Sequence, residues 1–132
     1  MRSRRLLLAT LLTPMVLIGL YAAFLWTTYI SDETSQGAAH GFTISSSKSG
    51  AVEALAELRR IYPEAVVAAQ PITGVGAPVE VGASAESEAL AESNLWNIQL
   101  DGSGRYNNLI RLTFERGELV SIYRHRQHFE LP

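Results

Sequence analysis

The chain has 132 residues, 47% of them hydrophobic, no Cys, and a formal charge of −2. At about 100–200 residues per domain, it has room for at most one folded domain. The lack of Cys excludes a disulfide framework, a thiolate metal site, a Cys nucleophile and a lipidated-Cys anchor.

Residues 1–5 carry Arg2, Arg4 and Arg5 and no acid. Residues 6–30 hold no charge. At a rise of about 1.5 Å per residue this run spans roughly 37 Å as a helix, against about 30 Å of bilayer hydrocarbon. It predicts a transmembrane helix. The hydroxyls of Thr10, Thr13, Thr27 and Thr28 can return to backbone carbonyls, and a membrane helix tolerates Pro14 as a kink. Trp26 and Tyr29 suit the far headgroup region. Gly19 and Ala23 form a small-xxx-small pair, which predicts a helix–helix contact inside the membrane. A cleaved signal peptide ending near residues 37–39 is the competing reading. Its apolar core would be only about 7–15 residues long, so an uncleaved anchor is expected.

Residues 31–132 hold eight Lys and Arg against thirteen Asp and Glu. With three Arg before the span and net acid after it, the positive-inside rule puts the N-terminus in the cytoplasm. The rest then lies across the membrane, which in a bacterium means inner membrane and periplasm.

Residues 31–39 are small and polar and predict a tether. Residues 40–132 make up the outer domain. Residues 41–45 alternate and predict a first strand. Ser45, Ser46 and Ser47 offer caps for a helix whose stripe is Ala51, Leu55, Leu58 and Tyr62. Pro63 ends that helix. Residues 66–70 predict a strand. Residues 71–93 form a Gly-, Pro-, Ala- and Ser-rich segment with a brief strand at 79–81 and a helical turn or two at 85–92. The segment is either ordered or mobile until a partner binds.

Three alternating runs follow: Trp96, Ile98, Leu100; Ile110, Leu112, Phe114; and Val120, Ile122. With turn composition at residues 101–104 and at Gly117, they predict an antiparallel meander. A two-residue Arg116-Gly117 loop pairs Phe114 with Leu119 and turns Ser121 and Tyr123 inward. A three-residue loop pairs Leu112 with Val120 and Ile110 with Ile122. The apolar match favours the three-residue loop. The expected fold class is therefore α+β: one N-terminal transmembrane helix, then a small domain with one helix on an antiparallel sheet of three to five strands.

The order Trp-x-Ile, Leu-x-Phe, Gly turn and Leu-Val-x-Ile, between Trp96 and Ile122, resembles the small envelope lipoproteins of the outer-membrane assembly machinery. This chain lacks the Cys that anchors those proteins, and the resemblance implies no function here.

The end of the chain carries Tyr123, Arg124, His125, Arg126, His128 and Phe129. On a continuing strand, Arg124, Arg126 and His128 share one face with Val120 and Ile122. This cationic-aromatic ladder is the candidate partner-binding site, for an acidic protein surface or lipid headgroups. His125 and His128 point to opposite faces of a strand, so no metal site is expected. Ser103 lies in turn composition and not in a nucleophile elbow. Gly74-Val75-Gly76 lacks the Lys of a phosphate loop. No cofactor, no catalytic set and no nucleic-acid partner are expected. The expected function is a non-catalytic, single-pass accessory protein that binds another membrane or periplasmic protein. The alternative is an immunity protein against a periplasmic toxin, with residues 71–93 as a plug.

Overall fold

In a computed structural model, residues 2–70, 79–80, 86–102 and 107–127 are described. The chain begins with α1 (Arg2–Thr28), a 27-residue helix containing Pro14. Thr27 Oγ1 donates to Phe24 O at 3.0 Å and Thr28 Oγ1 to Phe24 O at 2.9 Å, returning these hydroxyls to backbone carbonyls. Leu12, Met15, Val16, Leu17, Ile18, Leu20, Phe24 and Trp26 are all exposed, so its apolar side chains cover the helix on every side. Among the described residues, no helix is long and apolar enough to cross a membrane. The transmembrane span expected at residues 6–30 therefore finds no support in the described part of α1.

The helix stops two residues before the end of the uncharged run. Residues 31–39 also differ from a simple tether. β1 (Ile30–Thr34) begins after one intervening residue and pairs with the last strand, Ile30 opposite Arg126 and Thr34 opposite Ile122. Alternating apolar residues, the usual strand signal, are missing from β1 because it is an edge strand whose three central residues are exposed to water and whose two ends are only partly covered.

A small hairpin, β2 (Ala38–Ala39) and β3 (Phe42–Thr43), turns through His40 and Gly41. Both turn residues have positive φ, 53° and 86°, the geometry of a type I′ turn. Then α2 (Lys48–Ile61) starts at the N-cap Ser47, whose Oγ accepts from Gly50 N, and ends at Tyr62 before Pro63. Ala51, Leu55 and Leu58 are buried, while Tyr62, expected in the core, is 38% exposed at the helix end.

β4 (Val66–Ala69), β5 (Val79–Glu80), α3 (Glu86–Glu92), β6 (Leu95–Gln99), β7 (Asn107–Glu115) and β8 (Glu118–Gln127) complete the chain. The sheet is antiparallel and six-stranded, in the order β1-β8-β7-β6-β4-β5, one strand more than the widest expectation because β1 joins it. Both α2 and α3 lie on one face. Val67, Trp96, Ile98, Ile110, Leu112, Phe114 and Ile122 are buried there with Leu55, Leu58 and Leu90. Phe42, from the small hairpin, is buried with them. The described part of residues 71–93 thus carries the brief strand and the helical turns expected there, and its end supplies framework. Leu90 is fully enclosed, and the buried Ser93 Oγ lies 2.7 Å from Gln70 O and accepts from Leu95 N at 3.2 Å.

The β7–β8 turn corrects the register expectation. The loop has two residues, and Phe114 pairs with Leu119. A bulge then adds one residue to β8, so that Leu112 pairs with Ile122. Leu119 and Ile122 are both buried, and Val120, expected in the core, is not. The bulge reconciles a short turn with an inward apolar face. It is stable because the freed backbone finds partners: Ser45 N donates to Leu119 O at 2.8 Å and Leu119 N to Ser46 O at 2.9 Å. The turn puts Arg116 at φ 52° beside Gly117 at 85°. A non-glycine residue in that conformation costs about 1–2 kcal/mol. Arg116→Asn, a residue this turn type prefers, should therefore stabilise the domain by about 0.5–1 kcal/mol, read as a raised denaturant midpoint.

Candidate functional site

β8 carries the predicted site residues on two opposite faces. Arg124 continues the inner face after Ile122 and is only 8% exposed. Its Nη1 donates to Leu109 O at 3.1 Å and to His125 O at 2.8 Å, and its Nη2 donates to Asn108 Oδ1. Burial pushes its guanidinium below the ordinary Arg value, opposed by the neighbouring Tyr62 and Asp101 and assisted by Arg126. The predicted partner-binding role does not suit this side chain. A guanidinium is the one cation with enough donors to close this end of the sheet internally. The register also differs from expectation, with Arg124 opposite Ile110 and Arg126 opposite Asn108.

Arg126 is engaged as well. Its Nε donates to Thr28 O at 3.3 Å, at the C-terminus of α1, where a cation matches the helix dipole. It ties the first helix to the last strand.

Tyr123 and His125 point to the outer face. Their rings stack at 6.2 Å, and Tyr29 meets His125 edge-on at 5.7 Å. Tyr123 Oη and Ser31 Oγ share a hydrogen bond of 3.0 Å, and Ser121 Oγ donates to Glu33 Oε1 at 2.7 Å. This aromatic-polar cluster spans β1 and β8. Around it, Leu109 and Thr113 are half-buried and Arg111 is exposed, its Nε donating to Asn97 Oδ1 at 2.9 Å. Among the described residues, none on the outer face reaches the burial of Val67, Ile98, Ile110 or Leu112, its neighbours on the inner face. Sequence reasoning missed Leu109, Arg111 and Tyr29 as members of this surface. The alternation that marks the core residues also marks their neighbours as outward-facing, and that signal was present.

His128 and Phe129 lie outside the described residues, as do Ser103 and Gly74 to Gly76. Gly19 and Ala23 are both exposed on α1, and a Cβ built on Gly19 meets nothing within 4 Å. Among the described residues, no group of three or more His, Cys, Asp or Glu could hold a metal ion.

One cleft opens at the inner face. It is about 250 Å³, lies beside the C-terminal half of α2, and is lined by Leu58, Ile61, Tyr62, Leu100 and Ile110, with His40 at its rim. Partial burial holds the His40 imidazole below its usual value; Arg124 adds to this and Asp32 opposes it. A lowered His value means the unfolded chain binds this proton more readily than the folded one. The resulting stability is present above the ordinary His value of 6.5 and is lost as pH falls through that value toward the folded one. Melting temperature should fall between neutral pH and about pH 5. His40→Asn, which keeps the left-handed turn, should flatten that slope.

Compared with protein-family models, curated proteins and solved structures, the chain matches none of them.

Proposed function

We propose that this protein is a single-pass, membrane-anchored accessory module that binds another envelope protein through the outer face of its sheet and carries out no catalysis itself. The observation that carries this reading is the direct junction between an apolar helix and a one-sided sheet. A helix that is apolar all round needs either a bilayer or a large protein core around it, and α1 is exposed along its described length. With residues 6–28 uncharged and Arg2, Arg4 and Arg5 before them, the helix sits with its basic end in the cytoplasm. The domain then lies in the periplasm of a bacterial cell, attached to the inner membrane.

The outer face supplies the binding surface. Tyr123 and Arg111 belong to the residue types that protein interfaces favour, and they stand with His125 among the half-buried Leu109 and Thr113. Arg124 and Arg126 support this surface from within. Residues 71–93 are less suited to a toxin-blocking plug, since Leu90 and Ser93 are fixed in the core.

A photo-crosslinking side chain placed at Leu109 or Tyr123 in the full chain, in intact membranes, tests the reading. One discrete adduct with another protein is expected at both positions, and none at Arg116 on the far turn. The same ladder of adducts at all three positions, or none at any, would contradict a defined partner on this face.

A further inference from the structure

The strand pairing places several elements at one end of the domain. β1 begins there with Ile30 opposite Arg126, β7 begins there with Asn107 opposite Gln127, and β6 ends there with Gln99 opposite Leu109. β4 starts there with Val66 opposite Gln99. α2 also ends there: Tyr62 O accepts from Ala65 N at 3.0 Å, one residue before β4. The backbone packs closely at this corner, where a Cβ on Gly102 would lie 2.9 Å from Glu64 O. It is the end at which α1 enters, with Tyr29 as the only residue between helix and strand.

This end also carries the most conspicuous apolar exposure of the domain. Ile61 is 72% exposed and Tyr62 is 38% exposed, both at the mouth of the cleft. Beside them stand Arg59 and Arg60, the basic last turn of α2, Arg59 with an interaction of its own inside the domain, and across the end Arg126, held on Thr28 O. Arg60 reaches Glu57 at 3.1 Å, but both side chains are well exposed, so the pair is weak and open to exchange. The described carboxylates at this end are Glu57, Glu64 and Asp101. At the opposite end the β7–β8 turn carries Glu115 and Glu118 beside Arg116, and α3, which leads into β6, carries Glu88 and Glu92 with Lys48 Nζ on Ala91 O at 2.7 Å.

We infer that this end of the domain is a lipid-docking surface: Ile61 and Tyr62 enter the headgroup region of the bilayer that α1 crosses, and Arg59 and Arg60 engage anionic headgroups. The inference rests on the anchor reading of α1. The occupant follows from the chain path on that reading, because a helix that ends at Thr28 and a strand that starts at Ile30 leave only Tyr29 between an anchored α1 and the domain. An apolar tip flanked by Arg is the composition that binds such an interface. Tyr29 and Trp26, 52% and 84% exposed, stand at the helix–strand junction and are the residue types of the aromatic belt of a membrane boundary.

The chain contains no Cys, so single-Cys labels are unambiguous. The full chain, labelled with an environment-sensitive fluorophore at Ile61→Cys, Arg116→Cys or Leu17→Cys, is reconstituted in phosphatidylcholine vesicles with or without phosphatidylglycerol. Nitroxide lipids then quench at shallow or deep positions. Docking predicts strong shallow quenching at position 61, little at 116 and deep quenching at 17. Each charge reversed in Arg59→Glu and Arg60→Glu should lower the docked-to-undocked ratio about fivefold in the anionic vesicles. If 17 is quenched deeply while 61 behaves like 116, the docking surface is wrong and the anchor stands. If 17 is not quenched, the anchor reading fails and the docking surface fails with it. If 61 is quenched equally with and without phosphatidylglycerol, the recognition of anionic headgroups is overturned. Circular dichroism of each variant confirms that the domain remains folded.

Discussion

Trp96→Ala should destabilise the domain by about 3–5 kcal/mol, the range for removing a large aromatic side chain from a closed core. Trp96 is fully buried and lies 4.5 Å from Phe114, ring centre to ring centre. Its indole Nε1 donates to Leu90 O at 3.0 Å and to Ser93 O at 3.2 Å. The side chain therefore does two things. It fills the centre of the core, and it pins the end of α3 to β6. For a domain of roughly this size each kcal/mol shifts the melting temperature by about 4–8 °C, so a fall of at least 12 °C is expected in a thermal melt of the full chain in detergent. Trp96→Phe separates the two roles. It keeps most of the volume and removes the donor, at a cost of about 1–3 kcal/mol. A Phe variant as unstable as the Ala variant would show that the hydrogen bonds carry the effect.

Arg124→Met should cost about 2–3 kcal/mol, because it strips a charged donor from Leu109 O, His125 O and Asn108 Oδ1 at once. Arg124→Lys should recover only part of this loss, since an ammonium cannot reach three acceptors in that planar arrangement. Chemical denaturation of the two variants against the parent gives the comparison. If Arg124 instead served mainly to contact a partner, Arg124→Met would leave stability unchanged and abolish the cross-link from Tyr123.

The contrast between these two residues shows what the sequence made legible. Trp96 was placed in the core by its alternation with Ile98 and Leu100, and the same period found Ile110, Leu112, Phe114 and Ile122. α2 was equally clear, because Ser47 caps it and Pro63 follows its end. The burial of Arg124 is not legible in the sequence because periodicity ranks residues by polarity. It cannot show that backbone carbonyls at the end of a sheet need a multiply donating cation. The β8 register was missed for a related reason. A single rigid alternation cannot serve both a two-residue turn and an apolar face, and the bulge that satisfies both depends on Ser45 and Ser46, more than seventy residues away. β1 was missed because its sequence, Ile-Ser-Asp-Glu-Thr, carries almost no apolar signal, and its pairing with β8 supplies what its composition lacks.

The anchored arrangement joins these findings. α1 hands the chain to an edge strand and Arg126 closes the junction; in the proposed arrangement this junction holds the outer sheet face near the membrane for a partner. Labelling of single-Cys variants in intact spheroplasts with a membrane-impermeant maleimide tests this most directly. Arg116→Cys should react at once, Leu17→Cys should not react, and Ser3→Cys should react only after the membrane is permeabilised. Equal labelling of Ser3→Cys and Arg116→Cys before permeabilisation would contradict a helix that crosses the membrane between them.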